Sequence, residues 1–224
     1  MLNSNLIHLI GISFMKEIEF TQPWFEQTAK PLWNQFIRDN FTPNHYLEIG
    51  SFEGASVCWV LENMPTLETV VCIDTWEGGE EHKAAGENMS RVEEIFDSNI
   101  EAFEQKNPEI QVNLVKLKSR SVEAMGNLIA EGYSGYFDFI YVDGSHRAPD
   151  VLTDLVMSFE LLKFGGLLVA DDYLWDPDIA VDRGVSEINP LRSPKWAIDT
   201  FANIFRQNLR QLAVPSIQFM ALKT

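Results

Sequence analysis

Continuous apolar runs alternate with amphipathic stretches along most of this chain. Five runs stand out: Tyr46–Ile49, "ETVVCIDTW" ending near Asp74, "IQVNLVKLKS", "FDFIYVDG", and "LLVADD" preceded by a Phe-Gly-Gly tight turn. Short unbroken apolar runs bounded by Gly, Asp or Ser predict strands buried on both faces. Between them, helical spacing predicts helices after the first glycine turn (through Val57 and Leu61), over 91–107, over "SVEAMGNLIAEG" with Ser121 as cap, and over "PDVLTDLVMSFELL" with Pro149 in its first turn. "KWAIDTFANIFRQNL" predicts a further helix, and "RQLAVPSIQFMALK" a terminal hairpin. Residues 22–40 read as a helical N-terminal region carrying Trp24, Phe25, Trp33 and Phe36. Residues 77–91 and 176–194 read as polar loops, the first a Glu-rich lid. Strands alternating with helices predict one α/β domain with a doubly wound, largely parallel sheet. Residues 1–20 form an N-terminal extension and 21–224 the domain.

Composition narrows the function classes. Seventeen Lys and Arg against 33 Asp and Glu give a formal charge of −16 over 224 residues. Such a surface repels phosphate backbones and anionic lipids, so nucleic acid and membranes are not expected partners. No apolar run reaches the roughly 18 residues a membrane span needs. "MLNSNLIHLIGISF" lacks a basic start and a small-residue cleavage site, and Met15 opens a more polar segment. Cys58 and Cys72 sit inside apolar segments without metal-ligand spacing, which predicts free thiols and a cytoplasmic protein.

Candidate chemistry gathers where strands end. "LEIGSFEG" gives E-x-G-x-x-x-G at Glu48, Gly50 and Gly54, a turn able to bring backbone close to a ligand. It lacks the second Gly of a dinucleotide fingerprint, since Ser51 and Phe52 follow Gly50. A purely structural turn explains the glycines equally well. Asp74 closes the second strand, a position suited to two vicinal ribose hydroxyls, and the pair favours a nucleoside site. Asp143 follows the fourth strand, and Asp171 and Asp172 follow the fifth. If those strands are neighbours, three hard oxygen donors converge, suiting Mg²⁺ or another hard divalent cation. The bland alternatives are a turn signal at Asp143-Gly144 and a capping role for Asp172. His146, three residues after Asp143, is either a proton acceptor or a surface or capping histidine. His8, His45 and His82 read as ordinary surface histidines.

Taken in order, "YLEIGSFEGAS", "CIDTWEG", "FDFIYVDGSH" and "GGLLVADDYLW" resemble a class I S-adenosylmethionine-dependent methyltransferase. The likeness is nearest to the small-molecule O-methyltransferases grouped with macrocin O-methyltransferase, and it runs over about residues 20–223. The resemblance implies a Rossmann-like sheet of about seven strands. It implies that Glu48, Gly50, Ser51, Phe52 and Gly54 line the methionine end of S-adenosylmethionine and that Asp74 holds the ribose. Ser119, Arg120 and Ser121 would lie near adenine; Trp76, from its place just after a strand end, either walls the cofactor or packs beneath a loop. Metal-assisted O-methyltransferases place an Asp after strand four and an Asp pair after strand five, which implies Mg²⁺ at Asp143, Asp171 and Asp172, with Asp143 beside the donor methyl and His146 as base. The acceptor implied is a hydroxylated small molecule, a sugar or a catechol-like diol.

Other signals weigh less. Tyr173 and Trp175 follow a strand end and either wall the site or pack beneath a loop. Trp24, Phe25 and Trp33 read as core or as a homo-oligomer contact. The rival readings are a nicotinamide-dependent oxidoreductase, which the glycine pattern disfavours, and a non-catalytic module that binds S-adenosylmethionine or metal. An oxygen- and iron-dependent hydroxylase lacks its two-His-one-carboxylate set.

Overall fold

The computed structural model describes residues 16–79, 88–175, 190–215 and 217–224. His8 and most of the N-terminal extension, the core of the Glu-rich lid with His82, and the loop over 176–189 lie outside the described residues.

The apolar runs become seven strands: β1 (His45–Ile49), β2 (Thr69–Asp74), β3 (Asn113–Lys118), β4 (Phe137–Val142), β5 (Leu162–Ala170), β6 (Leu209–Gln211) and β7 (Phe219–Lys223). Their spatial order is β3-β2-β1-β4-β5-β7-β6. The first five are parallel, and β7 enters antiparallel between β5 and β6. The α-helices are α1 (Trp24–Gln27), α2 (Ala29–Phe36), α3 (Ala55–Asn63), α4 (Val92–Lys106), α5 (Ser121–Ala130), α6 (Ala148–Leu161) and α7 (Pro194–Ile204). Side chains alternate across the sheet. Tyr46, Cys72, Phe139 and Val169 face one core with Trp33, Trp59 and Phe96 from α2, α3 and α4. Leu47, Ile73, Ile140 and Leu168 face the other with Met125, Leu155 and Phe201 from α5, α6 and α7. Both cysteines are buried free thiols. Among the described residues no helix is long and apolar enough to cross a membrane.

Several local features differ from the pattern reading. The N-terminal helical region is two pieces, because Pro31 has no N–H for the Gln27 carbonyl and its ring crowds that oxygen. Ser121 is the first helical residue of α5, and Arg120 occupies the cap position without a side-chain hydrogen bond. The Gly165-Gly166 turn lies inside β5: Phe137 pairs with Leu162 and Phe139 with Leu167, so the strand starts directly after α6 and bulges between. α7 ends at Ile204, five residues short of the helix the pattern predicts.

Sheet order reverses at β1, which has β2 on one side and β4 on the other. In open α/β sheets ligands bind beyond the carboxyl ends of strands at such a switch point.

Candidate active site

The ladder runs one residue beyond the strands at this rim. Gly50 N–H donates to Ile73 O at 2.8 Å, Asp143 N–H to Ile49 O at 2.8 Å, Asp171 N–H to Val142 O at 3.0 Å and Ser119 N–H to Asp74 O at 3.0 Å. Four residues singled out from sequence therefore have backbones fixed by the sheet itself. Gly50 (φ +90°) has no room for a side chain, since a Cβ there would sit 2.0 Å from the Asp143 carbonyl oxygen. Gly54 also has positive φ, and its missing Cβ makes way for the Phe96 ring at 3.1 Å. Both glycines answer to packing between rim loops and core.

Asp74 ties two of those loops together. Its Oδ2 accepts the Phe52 N–H at 2.8 Å and its Oδ1 the Trp76 N–H at 2.7 Å. Trp76 in turn donates its indole N–H to Phe52 O at 2.8 Å. The Trp76 ring, only 4% exposed, packs on Phe96 with the Lys116 ammonium 4.6 Å above it. The structure therefore gives Trp76 to the core, in place of the cofactor wall that the sequence suggested. Phe52 stacks against Trp24 at 5.3 Å. Ser51 is buried and Arg120 exposed, while Ser119 and Ser121 are half-buried at the end of β3 and the start of α5.

Glu48 is fully buried at the end of β1, where the Tyr46 hydroxyl and the Ser56 hydroxyl (2.6 Å) donate to its two oxygens. Burial raises its pKa to about 7 against the lowering effect of those donors.

β4 and β5 are neighbours, so the three expected carboxylates do meet. All three line one small cavity with His146. Asp143, His146 and Asp172 bring ligand atoms within 4.8 Å of one another, all half-buried. His146 Nε2 lies 2.6 Å from Asp172 Oδ2, and the Trp175 ring covers the imidazole at 4.2 Å. Asp171 Oδ2 takes the Tyr141 hydroxyl and its Oδ1 the Asp172 N–H at 2.8 Å. Continuing the Val142–Ala170 register, Asp143 and Asp171 extend from the Tyr141 and Val169 face of the sheet and Asp172 from the other, with His146 beside them. Tyr173 is engaged elsewhere, donating to Asp199 at 2.7 Å and accepting from Lys195 at 2.8 Å.

Charge crowding shows in the acidities. Burial, then the Asp171 and Asp172 charges, push the Asp143 carboxyl well above the usual range. Burial and Asp172 push Asp171 up to about 6. A cation among them would relieve that repulsion, and carboxylate oxygens with one imidazole are a donor set a divalent ion accepts. Backbone strain collects here too. Among the described residues the non-glycine positions with positive φ are Phe52 (45°), Trp76 (54°) and Asp172 (57°), following β1, β2 and β5. Each such residue costs about 1–3 kcal/mol, and such strain clusters at functional sites.

Tyr141 is the site residue the pattern reading missed. A tyrosine inside an apolar strand reads as core. The signal available was the repeat Tyr-x-acid at Tyr46–Glu48 and Tyr141–Asp143, which puts a phenol beside a carboxylate on one strand face.

Residues 47–173 match the family model described as a methyltransferase domain. An uncharacterized protein of Acanthamoeba polyphaga mimivirus is 27% identical over 162 residues, which are 70% of this chain and 65% of that protein. The chain therefore aligns with just under two thirds of that relative's length. Solved structures share the fold. One is an O-methyltransferase from Bacillus cereus in complex with SAH (TM-score 0.54, 16% identity, 93% of this chain and 84% of that one). Another is TomG of Streptomyces achromogenes, an O-methyltransferase of tomaymycin synthesis, in complex with SAM (0.58, 17%, 92% and 82%). A third is MycE of the mycinamycin pathway in complex with Mg, SAH and mycinamycin VI (0.54, 19%, 92% and 50%).

Proposed function

From the premise that this chain belongs to the methyltransferase-domain family, we propose that it transfers a methyl group from S-adenosylmethionine to a hydroxyl of a small molecule, assisted by a hard divalent cation. Its fold is that of class I S-adenosylmethionine-dependent methyltransferases. The observation that carries the reading is the convergence of Asp143, His146 and Asp172 on the rim strand next to the Gly50–Asp74 turns. TomG's part in tomaymycin synthesis and the mycinamycin VI bound by MycE make a natural-product hydroxyl the acceptor class to try first.

The donor would rest on the turn 50–54, with its ribose toward Asp74 and its adenine toward Ser119–Ser121. Asp143 and Asp172, with Asp171 beside Asp143 in the same cavity, are the residues that would hold the cation. When bound, such an ion would make a coordinated hydroxyl more acidic and aim it. His146 would take the hydroxyl proton, and Asp172 Oδ2, 2.6 Å from its Nε2, would stabilise the resulting imidazolium. In the transfer the acceptor oxygen bonds the methyl carbon, the carbon–sulfur bond breaks, and its electrons neutralise the sulfonium. Positioning by the rigid rim would supply most of the acceleration. A second reading, favoured by the three-donor group, uses the imidazole as a metal ligand.

Calorimetric titration with S-adenosylmethionine and Mg²⁺, followed by a screen of hydroxylated acceptors for S-adenosylhomocysteine release, tests the proposal. Asp143→Asn is expected to keep donor affinity and lose metal affinity and turnover; unchanged Mg²⁺ binding by that variant overturns the ligand set. His146→Gln separates the two roles, because a base variant still binds metal and a ligand variant does not. Absence of turnover with bound donor and metal across the screen would favour the non-catalytic module.

A further inference from the structure

Behind the candidate metal group lies a buried layer of aromatic and polar side chains. Trp33 of α2, with no exposed surface, donates its indole N–H to Gln218 Oε1 at 3.0 Å. Asp171 meets the Tyr141 hydroxyl, and the same hydroxyl lies 3.0 Å from Asp143 Oδ2. The Tyr141 ring is 1% exposed and is held edge-on by Trp33 at 4.8 Å, so the phenol has no alternative place to go. One hydroxyl thus touches two carboxylates that line one cavity with His146 and Asp172.

We propose that Tyr141 is a positioning residue: its buried hydroxyl, in contact with both Asp143 and Asp171, fixes how these two carboxylates are presented beside His146 and Asp172, with the Trp33 ring bracing the phenol. The inference rests on the metal-assisted reading above. It deepens that reading by assigning cation affinity to a side chain that touches neither ion nor substrate. Without the hydroxyl, nothing separates the two carboxylates and Asp143 is free to rotate. Partners one shell behind metal ligands typically alter metal affinity by about 10–100-fold when removed.

The test uses Mn²⁺ as the probe on the full chain. Mn²⁺ binding is followed by electron paramagnetic resonance, S-adenosylhomocysteine binding by calorimetry and folding by thermal melt, for wild type and Tyr141→Phe. The expected result for Tyr141→Phe is Mn²⁺ affinity lower by about 10–100-fold and a broadened bound signal, with S-adenosylhomocysteine affinity changed less than about threefold. If the variant melts early and loses both affinities in parallel, the hydroxyl is structural and the assignment is overturned. An unchanged Mn²⁺ Kd and line shape in Tyr141→Phe overturns it as well. A wild-type protein that binds S-adenosylhomocysteine but no Mn²⁺ overturns the metal-assisted reading itself, and the positioning role with it.

Discussion

Replacing Gly50 by alanine probes the contact on which the rim depends. A Cβ there would lie 2.0 Å from the Asp143 carbonyl oxygen, 2.5 Å from its carbonyl carbon and 2.8 Å from the Gly144 Cα. All three are backbone atoms, so no side chain can swing aside, and the β1 and β4 exits must separate by about 1 Å to reach normal contact. Two hydrogen bonds resist that movement, Gly50 N–H to Ile73 O and Asp143 N–H to Ile49 O. A non-glycine residue in left-handed backbone costs about 1–2 kcal/mol, and each ladder bond disturbed adds about 1 kcal/mol. Gly132 supplies the control: its φ is +93°, and a Cβ there meets nothing within 4 Å. Gly132→Ala should therefore lower stability by the strain alone, about 1–2 kcal/mol, and Gly50→Ala by about 3–5 kcal/mol. For a chain of this size the two correspond to roughly 5 °C and 10 °C or more in Tm. Differential scanning calorimetry of the two variants reads the difference, and Mn²⁺ titration reads the consequence, because a shift of about 1 Å at a positioning residue is worth on the order of 10²-fold. Equal melting temperatures for the two variants, or an unaltered Mn²⁺ Kd in Gly50→Ala, would refute the idea that this close approach sets the place of Asp143.

Two further measurements follow from the core. Asp154 of α6 is 2% exposed, and burial lifts its pKa from 3.8 to about 7. The folded value exceeds the unfolded one, so its stabilising contribution is complete below about pH 4 and is lost as pH rises toward 7, by an amount on the order of 4 kcal/mol. Asp154→Asn should remove that share of the fall in denaturant stability between pH 4 and pH 8, and an undiminished fall would refute the assignment. Trp33→Ala should destabilise by about 3–5 kcal/mol, since it empties a fully buried site and strips Gln218 of its donor; a loss under about 1 kcal/mol by urea denaturation would contradict that packing.

How much of this was readable beforehand differs between backbone and side chain. β1, β2, β4 and β5 were legible because strands buried on both faces leave unbroken apolar runs, and the glycine turn and strand-end acids were legible because their spacing is local. That β4 and β5 are neighbours had to be assumed, since strand order is a property of the whole chain. The Asp171-Asp172 pair looked like two equivalent ligands. Counting alternation from Tyr141 and Val169, which both face the Trp33 core, sends Asp143 and Asp171 to one face and Asp172 to the other. Trp76 misled for a different reason: an aromatic after a strand end fits a ligand wall, and only the positions of Phe96 and Lys116 show that it is covered. The β5 bulge was hidden because Gly-Gly has the same composition whether the chain turns before a strand or within it.

The left-handed backbone at Phe52, Trp76 and Asp172 bears on how this protein would respond to laboratory evolution. Glycine at any of the three relieves the torsional penalty, but at Trp76 it also empties a buried site, so a screen rewarding heat tolerance alone would favour glycine at Asp172. Asp172 would be among the first to drift, and its carboxylate is lost in the same step. Libraries built for robustness should hold those codons constant and seek their gains on the helical faces away from the rim.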